Sequence, residues 1–412
     1  MRVVIDPSKV QGSIEAPQSK SYAIRYIFSS TLVPIELNNI VLSRDVEAAI
    51  DGVKALNIEY SGGVFRKKRE DLRIVKEYVN FKGSATTLRM FIPIASVVGG
   101  RITVDGDETL RRRPIKTLIE ALDGKGVKFS SINLPTTIEG KLRDTYVEIS
   151  GAESSQYVSG FMIAFAVAGG GTIKIKPPIV SRSYIYLTAY VLKQIGVDVS
   201  ITGNRIDIDV RGNLVGYKGE IPGDYLLASF YVASALLTGG NIEIKGLPPP
   251  VSDIGDHVVV EIYRNAGAYS EYSGGVWYAK ASDFYKGIEV DVEDSPDLAI
   301  SIIPIAAIAN GLTVIRGATR LRIKESDRIS SVVEVLKRFG ITVETDGENI
   351  WIKGGEPRET EIECPNDHRI AMMATSIALR SGGVVDKAEC IDKSNPFFWR
   401  DLIYLGGRIR LV

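Results

Sequence analysis

Apolar runs of about fifteen residues recur along the chain, each opened by a polar cluster, closed by glycine and followed by a shorter β-type run. Five copies are plain: GSATTLRMFIPIASVVGGRITV, SSQYVSGFMIAFAVAGGGTIKI, GDYLLASFYVASALLTGGNIEI, SPDLAISIIPIAAIANGLTVI and NDHRIAMMATSIALRSGGVV. Their final glycines, Gly100, Gly171, Gly240, Gly311 and Gly383, stand 71, 69, 71 and 72 residues apart. A sixth, divergent copy begins the series at SKSYAIRYIFSSTLVPIEL. Spacing this regular marks a repeat architecture. Helices that are apolar on nearly every face are expected inside a domain, with glycine at the C′ position stopping each one. The run Leu298 to Ile315 is long enough to suggest a membrane span, but Ser301, Pro304, Asn310 and Gly311 interrupt it, and a buried repeat helix explains it better.

A second, amphipathic helix follows in each unit: DVEAAIDGVKALNIEY, PIKTLIEALDGKGVKFS, YIYLTAYVLKQIGVDVSI, DHVVVEIYRNAGAYSEY and SDRISSVVEVLKRFGITVET. Each unit thus reads strand, helix, strand, helix, strand, strand, an α/β pattern. The sixth, ending in KSNPFFWRDLIYLGGRIRLV, stops after its second helix and one strand. The N-terminal segments MRVVIDP and QGSIEAP can supply what it lacks. Residues 1–19 with 250–412 are therefore expected to form one lobe and residues 20–249 the other, with three repeats each. The chain would cross near Gln18 to Lys20 and again at the Pro-rich GLPPPVSD, Gly246 to Asp253. At 412 residues the chain suits two domains better than one core.

Charge narrows the chemistry by cancellation: 50 basic and 50 acidic residues leave no general positive field to hold a nucleic acid. Any anion must be met locally. The two cysteines, Cys364 and Cys390, are too few for a disulfide framework and are read as reduced; with only His257 and His368 beside them, no metal site of familiar spacing arises. The first residues are charged and polar where a signal peptide needs an apolar run, so a cytoplasmic protein without a membrane anchor is expected.

Four stretches concentrate charge at repeat starts: Ser19 to Arg25, Leu110 to Pro114, Arg322 to Arg328 and Asn366 to Arg369. One such run alone is ordinarily a solvated helix face. Their shared placement matters, because a helix start offers free N–H groups and a positive dipole end, and a cleft ringed by such starts suits a multiply anionic ligand. No Walker loop, GxGxxG loop or HExxH occurs.

SKSYAIR, GSATTLR, RRRPI, SSQYVSG, SRSYI, SPD, RIKESDR, NDHRIAM and DKSNPFF, read in this order from Ser19 to Phe398, make the chain similar to the enolpyruvylshikimate-phosphate synthase family of enolpyruvyl transferases. The resemblance implies two inside-out α/β barrel-like domains, each of three βαβαββ repeats with buried helices. It implies transfer of the enolpyruvyl group of phosphoenolpyruvate to the 5-hydroxyl of shikimate-3-phosphate, with no cofactor, by a monomer. The 20–249 lobe would face the shikimate-3-phosphate and the other lobe the phosphoenolpyruvate.

By the same resemblance Lys20, Ser21, Arg25, Ser154, Ser155, Gln156, Ser181, Tyr184, Asp297 and Lys324 bind shikimate-3-phosphate; Ser154 can equally be a helix cap. Phosphoenolpyruvate, with its carboxylate and phosphate, falls to Lys20, Ala85, Arg89, Arg113, Gln156, Arg328, Arg369 and Lys393, planar cations being natural clamps for both groups. Arg111 and Arg112 are expected to face solvent. The catalytic groups implied are Asp297 as base near the 5-hydroxyl and Glu325 as acid toward the methylene carbon, with Lys20 the alternative proton carrier. His368 is given a supporting place at most and His257 a structural one.

Two positions depart from the family pattern. Gly83 and Ala85 stand where Asn and Gly are usual, and the Ala85 methyl is expected to press on the donor pocket and weaken glyphosate, the bulkier analogue. Arg320 stands where some members carry a sugar-binding Asn and is left out of the site. Two rival readings remain: the enolpyruvyl transferase acting on UDP-N-acetylglucosamine, disfavoured by SKSYAIR, SSQ and the lack of a cysteine before Arg113, and a non-catalytic anion-binding relative, disfavoured by the presence of Lys20, Asp297 and Glu325 together.

Overall fold

The computed structural model describes residues 1–68, 71–251 and 255–412; Ser252 and Asp253, at the end of the expected connector, lie outside them. Each apolar repeat segment is a helix: α1 (Lys20–Ser29), α2 (Ala85–Val98), α3 (Ser155–Val167), α4 (Tyr225–Leu237), α5 (Leu298–Ile308) and α6 (His368–Ser381). Every residue of α4 is buried, as is all of α5 except Ile308. With apolar side chains all round, such helices have no face to give to water, so the sheets take the outside. The apparent membrane span divides into α5 and the strand Leu312–Arg316, turning at Gly311 with φ of 111°. Among the described residues no helix is long and apolar enough to cross a membrane.

Among the described residues, six four-stranded sheets repeat one plan. In one of them, strands Tyr78–Asn80 and Gly100–Asp105 pair in parallel on either side of α2, and Gly100–Asp105 then pairs antiparallel with Thr136–Gly140, which pairs with Val127–Phe129. Ile102 and Val104 turn inward toward the helix while Arg101 stays exposed, the alternation a one-sided sheet requires.

The described chain forms two compact units, Met1–Gln18 with Pro222–Val412, and Ser19–Ile221. Each holds three sheets and three of the buried helices. In the C-terminal unit α4, α5 and α6 pack against one another around Phe230, Ile303 and Met372. Its sixth repeat is completed by strand Arg2–Asp6, which lies antiparallel between Gly383–Asp386 and Arg408–Leu411. Strand Gly12–Glu15 supplies the parallel partner of Asn241–Lys245. The N-terminal unit closes on itself in the same way, Tyr217–Gly219 pairing in parallel with Ile35–Leu37.

The second crossing thus falls at Pro222, not at residue 250. Helix α4 belongs to the C-terminal unit because Asp224, its cap, is held by the Pro17 carbonyl (N–H···O 2.8 Å) and because the strand that follows it pairs with Gly12–Glu15.

Candidate active site

The six buried helices begin at equivalent places, and the capping residue differs by unit. It is Ser19, Ser84 and Ser154 in the N-terminal unit, and Asp224, Asp297 and Asp367 in the C-terminal unit. A serine leaves the positive helix end uncompensated, which suits an anion; an aspartate neutralises that end and can collect cations around itself.

In the N-terminal unit, Lys20 opens α1 and its ammonium bonds the Asp45 carboxylate at 2.8 Å. Ser21 gives its carbonyl to Arg25 Nη1 at 2.8 Å. Arg25, 1% exposed, also donates from Nε to Thr188 Oγ1 (2.8 Å) and from Nη2 to the Tyr184 carbonyl (3.0 Å) and Ser159 Oγ (3.3 Å). It thereby ties α1 to α3 and to the helix Arg182–Gln194. Ser181 precedes that helix in the left-handed region, φ 52°, a conformation uncommon for a serine and often found where a binding site fixes the backbone.

Arg89 is the centre of a second group. Nη1 donates to Gln156 Oε1 (3.1 Å) and Ser154 Oγ (3.4 Å), Nη2 to the Pro114 carbonyl (2.8 Å), and the guanidinium lies 5.0 Å over the Tyr157 ring. The Tyr157 hydroxyl donates to the same Pro114 carbonyl at 2.7 Å, and burial pushes its phenol well up. The turn carrying Arg113 is therefore anchored from two sides. Gln156 Nε2 donates to Thr86 Oγ1 (2.7 Å), beside the buried Ala85. Ser154 caps α3, its hydroxyl accepting from Gln156 N–H at 3.2 Å, and Ser155 is buried next to it. Arg111 and Arg112 are exposed and paired with Asp105 and Glu108.

In the C-terminal unit one network joins every expected residue. Arg328, 1% exposed, donates to Asp297 Oδ1 (2.7 Å), Glu325 Oε2 (2.7 Å) and both oxygens of Asp367 (2.7 and 3.0 Å). Asp297 also meets Lys324 Nζ at 3.2 Å and Arg369 Nε at 3.4 Å, and Glu325 Oε1 meets Lys393 Nζ at 3.1 Å. Burial alone would push the Asp297 carboxyl up, but Lys324, Arg369 and Arg328 outweigh it and hold the group well below the ordinary range. Burial pushes the Lys324 ammonium down to about 8; Asp297 opposes the shift, while Arg320 and Arg328 add to it. Asp367, fully buried, caps α6 through the Arg369 N–H (3.1 Å) and accepts from Ser326 Oγ (3.1 Å). His368 is buried beside it, and His257 sits in a 3-10 turn against the Tyr225 ring.

Asp45, Tyr157 and Thr188 were not found from sequence. Asp45 reads as an ordinary acidic residue in a helix's first turn, and the other two as core positions of helices. Asn366, with φ of 59° just before Asp367, is a strained position that only the backbone reveals. Among the described residues no group of three or more His, Cys, Asp and Glu side chains could hold a metal ion.

The family model described as EPSP synthase (3-phosphoshikimate 1-carboxyvinyltransferase) matches residues 4–402. A 3-phosphoshikimate 1-carboxyvinyltransferase of Saccharolobus islandicus is 48% identical over 414 residues, covering 100% of both chains. Those of Sulfurisphaera tokodaii and Caldivirga maquilingensis are 47% identical over 409 residues and 39% identical over 417. The solved EPSP synthase of Acinetobacter baumannii shares the fold with a TM-score of 0.81 at 24% identity, covering 99% of each chain.

Proposed function

Since the chain belongs to the EPSP synthase (3-phosphoshikimate 1-carboxyvinyltransferase) family, we propose that its two residue clusters divide enolpyruvyl transfer between them. The chain is an enzyme of the shikimate pathway: it moves the enolpyruvyl group of phosphoenolpyruvate to the 5-hydroxyl of shikimate-3-phosphate through a tetrahedral intermediate and releases phosphate.

Ser154, Ser155, Gln156, Ser181, Tyr184, Lys20 and Ser21 hold shikimate-3-phosphate, with Arg25 behind them fixing Ser21 and Tyr184 through their carbonyls. Hydroxyls at a helix start with an uncompensated dipole are sufficient for a phosphate. Arg113, Arg369 and Lys393 clamp the carboxylate and phosphate of phosphoenolpyruvate. Arg89 fixes the turn of Arg113, and Arg328 fixes the carboxylates.

The observation that carries this reading is that one guanidinium, Arg328, binds Asp297 and Glu325 at 2.7 Å each. Two carboxylates so held can take and give a proton in turn. At rest Asp297 is a poor base, because three cations stabilise its ionised form. An arriving dianion competes for Lys324 and Arg369, and the basicity of Asp297 rises only when substrate is present. Asp297 then takes the 5-hydroxyl proton, while Glu325, protonated when substrate charge offsets Arg328 and Lys393, gives its proton to the methylene carbon. Glu325 next takes a proton back from the methyl group, and Asp297 returns its proton to the departing phosphate. Lys20, held by Asp45, is the second candidate proton carrier. A monomer working in the cytoplasm accompanies this reading, and sedimentation at assay concentration tests the first part.

The test of function is release of inorganic phosphate from phosphoenolpyruvate with shikimate-3-phosphate as acceptor, set against UDP-N-acetylglucosamine. Release with the shikimate compound alone is expected; release with the UDP sugar alone would overturn the assignment.

A further inference from the structure

Cys364 and Cys390 have no part in this chemistry, yet they lie together inside the C-terminal unit, 1% and 3% exposed. Cys364 follows the strand Thr360–Glu363, and its N–H donates to the Asp386 carbonyl at 3.0 Å. The parallel neighbour Gly383–Asp386 turns at Lys387, φ 55°, into the 3-10 helix Ala388–Lys393, which carries Cys390. The two sulfurs end 2.8 Å apart, and Cys364 Sγ also reaches the Asp367 carbonyl at 3.4 Å. Each cysteine stands three residues before a member of the charged network, Cys364 before Asp367 and Cys390 before Lys393.

We propose that Cys364 and Cys390 are a covalent modification site, joining as an intramolecular disulfide that fastens the Asp367 turn to the helix bearing Lys393. The oxidant is a small-molecule disulfide. One cysteine thiolate attacks it and releases a thiol; the other cysteine attacks the mixed disulfide and releases the second thiol. Two cysteine S–H bonds are lost, one S–S bond forms, and the two electrons and two protons leave in the two small thiols. The partner sulfur and burial push the Cys390 thiol well up, which disfavours attack in the folded chain, so the bond forms during folding. Once formed, it is shielded by the same burial from the reductants that make cytoplasmic disulfides uncommon. Because the sulfurs already meet with the network assembled, the bond leaves Asp367 and Lys393 in place, and the oxidised protein keeps its activity.

The test is to refold the full chain with a mixture of a small thiol and its disulfide, then denature and alkylate. No alkylated cysteine is expected before reduction and two after it, with the oxidised chain lighter by two hydrogens. The oxidised form should also unfold at a temperature higher by about 5–10 °C, the effect of closing a loop of this size. In Cys390→Ala the thermal midpoint should no longer respond to reductant. Two alkylated cysteines after oxidative refolding would overturn the proposal, as would a reductant effect that survives in Cys390→Ala or loss of activity on oxidation. Only the activity arm rests on the enzymatic reading above; the thiol count and the melting shift stand without it.

Discussion

In the proposed chemistry Arg328 is the organising residue: its three nitrogens are all engaged by carboxylates, so it is neutralised, and the competing cations Lys324 and Arg369 become the adjustable partners of Asp297. Lys324 then sets a pH limit. Its ammonium is lost as pH rises through about 8, so kcat/KM should fall on the alkaline side near that value, and Lys324→Arg, which stays charged, should carry the fall to higher pH. An unchanged alkaline limb in Lys324→Arg would remove Lys324 from that role. The stability sign is opposite: between about 8 and the ordinary 10.5 the unfolded chain binds more protons than the folded one, so this group makes stability rise with pH there. Ala85 begins α2 fully packed, and Ala85→Gly should strengthen glyphosate inhibition more than it changes the KM for phosphoenolpyruvate; equal inhibition of both forms would contradict a steric role for the methyl. The network that joins Glu325 and Arg369 was legible because charge clustered at a helix start is conspicuous in sequence. Asp45 and Tyr157 were not, because an acid in a first turn and a tyrosine in an apolar helix have commoner uses, and only their partners at 2.8 and 2.7 Å show what they hold in place.

At the scale of elements, the N-cap position is serine in one unit and aspartate in the other, and the proposed function uses helix ends for anions in the first and gathered cations in the second. Helices α2 and α3 make this precise in space because they touch through Gly160. A Cβ there would lie 2.8 Å from the Arg89 carbonyl oxygen and 3.0 Å from Met90 Cα, backbone atoms that cannot move aside. Gly160→Ala should therefore push α3 away from α2, costing about 1–3 kcal/mol of stability by thermal or denaturant unfolding, and should lower kcat/KM by displacing Gln156 from Arg89. A variant with unchanged stability and activity would show that the close approach is dispensable. The buried helices were readable from their all-round apolarity and glycine stops. The first crossing, at Gln18 to Ser19, was legible; the second was not, since its place depends on pairings such as Gly12–Glu15 with Asn241–Lys245, more than two hundred residues apart, that no local pattern encodes.

At the scale of the molecule, an electrically balanced chain binds anions by local arrangement rather than by an overall field. The first eighteen residues are structural parts of the C-terminal unit, providing strands to two of its three sheets. Removing residues 1–18 should leave edge strands unpaired and abolish cooperative unfolding of that unit as followed by circular dichroism, whereas a retained transition at the full-length midpoint would show these strands to be accessory. The proton transfers assigned to the charged network can be followed directly in deuterated water with phosphoenolpyruvate and shikimate-3-phosphate. Protonation of the methylene carbon makes a methyl group, and its reversal returns hydrogens without regard to origin, so the intact enzyme should place deuterium in the enolpyruvyl product and in recovered phosphoenolpyruvate. Glu325→Gln should still bind shikimate-3-phosphate but stop that incorporation; incorporation at the unsubstituted rate would contradict Glu325 as the acid.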